Sequence, residues 1–187
     1  MGLGLFQVAG RRGALLASFV GDQASPQARP KKDAKPADPV FAKAVDPEEP
    51  ADAFGVWSDG KLIFETYTAP IIIHEQVLGG LRIGFPLDDS FAKTLKEQTG
   101  SEVAFVVDGK ILGSSLSAVE RESVTQSLAD MLGMAKGGNQ GIFASTLNGT
   151  PYLGQLISMK GPDGGEGAQL LQLRSKARIL QLLGTIR

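Results

Sequence analysis

The sequence has no cysteine and only one histidine, His74, among its 187 residues. Without cysteine the chain can form neither a disulfide framework nor a thiolate metal site. With a single histidine it cannot build a zinc site that needs two. His74 stands beside Glu75 after an apolar triplet, and we interpret it as a surface residue. No metal site is therefore predicted.

The chain also lacks a strong charge and a long apolar run. Its 19 basic and 20 acidic residues leave a formal net charge of -1. The basic residues are scattered apart from the proline-rich stretch Arg29–Lys35, so nucleic acid is not an expected partner. No segment approaches the roughly 20 apolar residues that span a bilayer. We expect a soluble chain, with membrane contact only through flanking helices that it does not contain.

What the sequence does contain is a repeated pattern. Leu5–Gly21 and Glu102–Leu116 each indicate two strands joined by a tight turn. After an interval, Phe54–Leu95 and Gly141–Leu183 each indicate three strands and a helix. The pattern predicts an α+β fold of two units, each a five-stranded antiparallel sheet with flanking helices.

The turns and one helix start have clear local signals. Asp108-Gly109 and Asn148-Gly149 are dipeptides typical of two-residue hairpin turns. Ser117 and Glu120 form a capping box that opens a helix, and we expect Gly133 and then Gly137-Gly138 to close it.

The predicted units cover residues 1–99 and 100–187. The first includes a mobile proline-rich loop over residues 22–52, because such a composition buries too little apolar surface to offset its ordering entropy. A short helix is expected over Pro39–Val45 within it. The second unit ends in a helix with one apolar face, formed by Ile179, Leu182, Leu183 and Ile186.

Two stretches carry a resemblance to a known family. Residues 77–116 (VLGGLRIGFPLDDSFAKTLKEQTGSEVAFVVDGKILGSSL) resemble the middle of double Cache sensor modules, where one PAS-like unit ends and the next begins. Residues 150–159 (TPYLGQLISM) and 167–183 (GAQLLQLRSKARILQLL) resemble the end of such a module, just before a membrane helix.

The resemblance implies a membrane-distal first unit and a membrane-proximal second unit that ends in the output helix. It implies the periplasmic or extracellular input domain of an inner-membrane chemoreceptor, histidine kinase or nucleotide cyclase, which binds a small molecule and needs no cofactor. A homodimer in the full-length receptor is a further expectation.

The chain departs from the family pattern in two ways. Family members begin with a long helix that forms much of the dimer interface, and no residues before Leu3 supply one. The aromatic-arginine-aspartate signature of the amino-acid-binding branch is also absent, so an amino-acid ligand is not carried over.

Candidate ligand-binding residues are the polar and aromatic side chains on the long strands of each half. An anion site needs a donor, which Arg or Lys usually supplies. Arg174 is the strongest single candidate, because it ends a strand just before the last helix. The alternative places the arginines and the lysine on a solvated sheet face. The first set is Trp57, Tyr67 and Arg82, and the second is Tyr152, Gln155, Lys160 and Arg174.

Other features have simpler interpretations. Asp88 and Asp89 could hold a cation, but helix N-terminal capping is favoured. Gly161–Gly167 lacks the Lys-Ser/Thr of a phosphate-binding loop and is expected to be a hairpin turn. With no nucleophile–base set or paired carboxylates at a usable spacing, an enzyme is not predicted.

Two functions remain open. The first is a non-enzymatic sensor domain with a small ligand, for which a carboxylate is the candidate. The alternative is a ligand-free PAS-like module that serves structure or dimerisation.

Overall fold

The computed structural model describes residues 4–21, 23–25, 38–137 and 141–177. The chain divides into two compact units, which we call unit 1 and unit 2. Unit 1 comprises Met1–Asp59, Phe64–Pro86 and Lys160–Gly167, and unit 2 comprises Gly60–Ile63, Leu87–Met159 and Ala168–Arg187.

Unit 1 is built on a six-stranded sheet with the order β3-β2-β1-β6-β5-β4. One short helix, α1 (Pro39–Ala44), lies between β3 and β4 in the chain. The strands are β1 (Leu5–Gly10), β2 (Leu15–Val20), β3 (Gln23–Ser25), β4 (Ala53–Ser58), β5 (Ile63–Ile73) and β6 (Gln76–Pro86).

Part of the predicted mobile loop over residues 22–52 is regular structure. Residues 23–25 form β3, which pairs with β2 and adds a sixth strand to the predicted five. The short helix expected over Pro39–Val45 is confirmed as α1. Residue 22 and residues 26–37 lie outside the described part of the chain.

The turn between β5 and β6 contains the single histidine. His74 and Glu75 both have positive φ, 47° and 62°, as a two-residue turn of the twist that suits a hairpin requires. Both side chains are exposed. The interpretation of His74 as a surface residue is therefore confirmed.

Unit 2 is built on a five-stranded sheet with the order β8-β7-β11-β10-β9. Without the edge strand β3, unit 1 has the same arrangement, β2-β1-β6-β5-β4. The prediction of two antiparallel sheets of one kind is confirmed. The elements of unit 2 are α2 (Asp89–Thr99), β7 (Glu102–Val107), β8 (Lys110–Ser114), α3 (Ala118–Gly137), β9 (Ile142–Leu147), β10 (Thr150–Lys160) and β11 (Glu166–Ser175).

Helix α2 belongs to unit 2, whereas the predicted boundary at residue 99 placed it in the first unit. Asp88 is its N-cap and accepts a hydrogen bond from the backbone N–H of Phe91 at 2.9 Å. Asp89 accepts from the backbone N–H of Ser114 at 2.7 Å and forms an ion pair with Arg121. The aspartate pair therefore fixes the start of α2, as expected.

Helix α3 starts where the sequence predicts and ends at the second of the two predicted glycine positions. Ser117 and Glu120 form the capping box, and the hydroxyl of Ser117 holds the pKa of Glu120 below its ordinary value. Of the two glycine positions expected to close it, Gly133 lies inside the helix and Gly137 is its last residue. An interior glycine costs only about 1 kcal/mol, and Ala135 beyond it is buried in the core.

None of the helices in the described ranges is long and apolar enough to cross a membrane. The predicted output helix, with Ile179, Leu182, Leu183 and Ile186, lies outside those ranges, since the description ends at residue 177.

Two glycines of unit 2 test the helix boundary. A Cβ at Gly133 or at Gly109 would meet no atom within 4 Å, but Gly109 has φ +72° and Gly133 is helical. We expect Gly133→Ala to raise the free energy of unfolding by about 0.5–1 kcal/mol, and Gly109→Ala to lower it by about 1–2 kcal/mol. Urea denaturation measures the unfolding free energies of both variants. Equal effects of the two substitutions would contradict the continuation of α3 through Gly133.

Candidate ligand-binding sites

In unit 1, helix α1 covers one face of the sheet. Side chains alternate between faces along a strand, and the register places Gln7 of β1 and Thr68 of β5 on either side of Arg82 in β6. Gly80, two residues before Arg82, leaves room for the ring of Phe41 from α1. This helix-covered face therefore carries Gln7, Thr68 and Arg82 beneath the helix.

Arg82 is the largest fully buried side chain, with 1% of its surface exposed. Its Nε donates to the hydroxyl of Thr68 at 2.9 Å, and its Nη1 donates to Gln7 at 3.2 Å and to Asp38 at 2.7 Å. The guanidinium also stacks over the Phe41 ring, 4.6 Å from the centroid. Four neighbours therefore fix its position.

One donor of this guanidinium lacks a partner. Nη2 of Arg82 is buried and has no hydrogen bond to any described residue. A buried donor left unpaired costs about 1–3 kcal/mol, so native proteins rarely keep one without a use. The face under α1 can therefore supply a hydrogen bond from a fixed cation.

Asp38 connects this cation to the helix. One carboxylate oxygen forms the ion pair with Arg82, and the other caps α1 by accepting from the backbone N–H of Val40 at 2.8 Å. Burial raises the pKa of Asp38, but the hydrogen bond and charge of Arg82, with the helix N–H groups, hold it below the ordinary value. Arg82 thus already binds one carboxylate, that of Asp38.

Unit 2 has the same strand order but a different helix-covered face. There α3 covers an apolar layer in which Ala104 of β7 pairs with Leu171 of β11. These are the strands that correspond to β1 and β6, where unit 1 has Gln7 and Arg82. The layer also contains Val106, Val124, Leu128, Met131, Phe143, Leu147 and Leu173. Beside this layer lies the buried hydroxyl of Ser114, which pairs with Ala104, but none of the layer residues carries a charge.

The first predicted set, Trp57, Tyr67 and Arg82, is divided between the two faces of the sheet in unit 1. Tyr67 precedes Thr68 and so lies on the face opposite Arg82. It is exposed and donates to Asp52, and that hydrogen bond raises the pKa of Tyr67. Trp57 packs against Phe64, with ring centroids 6.2 Å apart. Of this set, only Arg82 has a buried donor without a hydrogen-bond partner among the described residues.

The second predicted set is divided as well. Tyr152 packs against the apolar layer beneath α3, and burial raises its pKa. Lys160 is exposed and groups with unit 1. Gln155 and Arg174 come together on the other face of the sheet, in a cleft of about 240 Å³.

Several residues around these groups were not predicted. Gln7, Asp38 and Phe41 surround Arg82, and Ser101 and Gln172 line the cleft. Two features of the sequence could have indicated Gln7 and Asp38. Gln7 stands at an inward position of an alternating strand, between Leu5 and Ala9, and Asp38 directly precedes a proline that opens a helix.

The glycine-rich segment forms the hairpin between β10 and β11, as predicted: residues 161–165 connect the two strands, and Gly167 already belongs to β11. The backbone N–H of Gly161 donates to Gly165 at 2.8 Å, and that of Gly164 donates to Gly161 at 3.0 Å. Over the described residues, no group of three or more His, Asp or Glu side chains could hold a metal ion.

The comparisons with known proteins concern structure. No family model matches the sequence, and no curated protein does. A domain of a sensory box/GGDEF family protein from Vibrio parahaemolyticus is similar with a TM-score of 0.50 at 14% identity, over 94% of this chain and 72% of that one.

Two further solved structures are similar at lower scores. The extracellular domain of the histidine kinase vpHK1S-Z8 has a TM-score of 0.48 at 15% identity, over 94% of this chain and 70% of that one. The ligand-binding domain of the Pseudomonas aeruginosa amino acid chemoreceptor PctC, in complex with GABA, has a TM-score of 0.44 at 16% identity, over 91% of this chain and 74% of that one.

At sequence identities of 14–16%, structural similarity shows the fold alone. The two antiparallel sheets of one topology agree with it. The chain shares the fold of that sensory box/GGDEF protein domain, and the predicted α+β fold of two antiparallel-sheet units is confirmed.

Proposed function

We propose that the chain is the extracytoplasmic sensor domain of a bacterial transmembrane signalling receptor, and that it binds a small carboxylate at Arg82 without catalysing a reaction. The observation that carries the proposal is the buried guanidinium with its unpaired Nη2 on the helix-covered face of unit 1. The fold, shared with a sensory box/GGDEF protein domain, supports the sensor role.

The polarity of this face argues for binding. Burying a charge is costly unless partners compensate it, and on the corresponding strands unit 2 has the uncharged pair Ala104 and Leu171. The strand topology by itself therefore does not require a buried arginine in this position. A ligand that accepts a hydrogen bond from Arg82 would explain why the polar side chains of this face are buried.

A carboxylate matches this site better than a neutral ligand. Arginine binds carboxylates through two parallel N–H groups, and Nη1 of Arg82 already holds the carboxylate of Asp38 at 2.7 Å. A ligand carboxylate would accept from Nη2 and compete with Asp38 for Nη1. Because Asp38 also caps α1, this competition links ligand binding to the first turn of the helix.

A second candidate function is a ligand-free structural or dimerisation module. The apolar layer beneath α3 in unit 2 favours it for that unit. It does not account for the buried arginine of unit 1.

The variant Asp38→Asn tests the ligand. Asn keeps the helix cap but removes the partner charge of Arg82, which we expect to lower the free energy of unfolding by about 1–3 kcal/mol. Acetate, lactate, succinate and other small carboxylates should then raise the melting temperature of this variant more than that of the wild type, because a vacated guanidinium binds them more tightly.

The control is Asp130→Asn, which removes a carboxylate from the exposed side of α3. It should respond to carboxylates as the wild type does. Arg82→Lys should bind at least tenfold more weakly, because one ammonium replaces the planar fork. If no carboxylate stabilises Asp38→Asn beyond the Asp130→Asn control, the carboxylate proposal fails and the structural module is preferred.

The same ion pair predicts a pH dependence of stability. The native pKa of Asp38 lies below its ordinary value, so the charged carboxylate stabilises the fold at pH values above about 4. That contribution is lost as the pH falls through the lowered native pKa. Between about pH 5 and pH 2.5, the wild type should lose more unfolding free energy than Asp38→Asn. Parallel curves from chemical denaturation would show that the pair contributes nothing.

A further inference from the structure

We propose that the cleft in unit 2 is a second binding site, which takes a short-chain aliphatic monocarboxylate on the sheet face opposite α3. The proposal does not depend on the site at Arg82, and either one can fail alone. The cleft has a volume of about 240 Å³, and its lining residues are Ser101, Ile142, Leu153, Gly154, Gln155, Gln172 and Arg174.

The strand registers place the functional side chains on this face. Gln155 of β10 pairs with Ile142 of β9, so the two side chains are neighbours on one face. Gly154 pairs with Phe143, which points into the apolar layer beneath α3. Gln155 therefore points away from that layer, and so do Gln172 and Arg174, which alternate with the buried Leu171 and Leu173.

Arg174 supplies the positive charge of the cleft. Its Nη2 donates to the carbonyl of Thr99 at the end of α2, at 3.3 Å. Its Nε is buried and has no hydrogen-bond partner among the described residues. Of the residues that line the cleft, Arg174 is the only one with a charge, so no lining carboxylate neutralises it. An anionic acceptor would satisfy the unpaired Nε.

The rest of the cleft defines the ligand. Gln155 and Gln172 offer amide groups that donate to a carboxylate oxygen or a hydroxyl. Ile142 is 49% exposed and Leu153 is 39% exposed, so an aliphatic chain would bury apolar surface against them. A second carboxylate would find no second cation in the lining. The volume lies below the usual range for drug-sized ligands, which restricts the ligand to a few carbons.

The test follows backbone amide chemical shifts of the whole chain during titration with sodium propionate and sodium butyrate, at constant ionic strength. We expect saturable shifts at residues 153–155 and 172–174, with butyrate binding more tightly because of its longer chain. Arg174→Gln should weaken this binding at least tenfold. Shifts at residues 66–68 and 80–84 would report the separate site at Arg82.

Gln155→Glu is the second variant and is nearly isosteric. It places a carboxylate beside Arg174, so it should also weaken propionate binding at least tenfold. Gln126→Glu adds the same charge on the exposed side of α3 and should leave the affinity within twofold of the wild type. Unchanged affinity in folded Arg174→Gln would overturn the proposal. It would also be overturned if sulfate competed as well as butyrate, or if the shifts at residues 153–155 did not saturate.

Discussion

The burial of one guanidinium organises unit 1. Arg82 lies in β6, one of the two central strands of the sheet, and its charge is compensated by three different elements, through Gln7 of β1, Thr68 of β5 and Asp38 at the start of α1. A buried charge that lost these partners would be strongly destabilising. The position of α1 on the sheet is therefore set by electrostatics as well as by the packing of Phe41 against Gly80.

The two units show how one topology supports different interiors. Their strand orders agree once β3 is set aside, yet the layer beneath the inserted helix contains a buried charged residue, Arg82, in unit 1 and an uncharged apolar cluster in unit 2. An apolar layer needs no partner outside the unit, because its favourable energy comes from burial alone. Buried polar groups need hydrogen-bond partners. Nη2 of Arg82 is a donor in the layer of unit 1 without a partner among the described residues.

The sequence predicts the sheets well because their signals are local. Asp108-Gly109 and Asn148-Gly149 adopt the positive φ values that their hairpins require, and the capping box opens α3. The sites depend on long-range register, which composition does not reveal. Gln7 and Asp38 lie 75 and 44 residues from Arg82 in the chain. Tyr152 and Gln155 lie three residues apart in β10. Because side chains alternate along a strand, they point to opposite faces of the sheet.

The lengths of the two inserted helices explain why binding in unit 1 would have a structural consequence. Helix α1 has six residues, and an isolated helix of that length is unstable in water. It therefore depends on the Asp38 cap, the Asp38–Arg82 ion pair and the contact of Phe41. Helix α3 has 20 residues and a buried apolar side, so it does not depend on a single ion pair. A ligand that takes Arg82 from Asp38 thus acts on the less stable helix of the two.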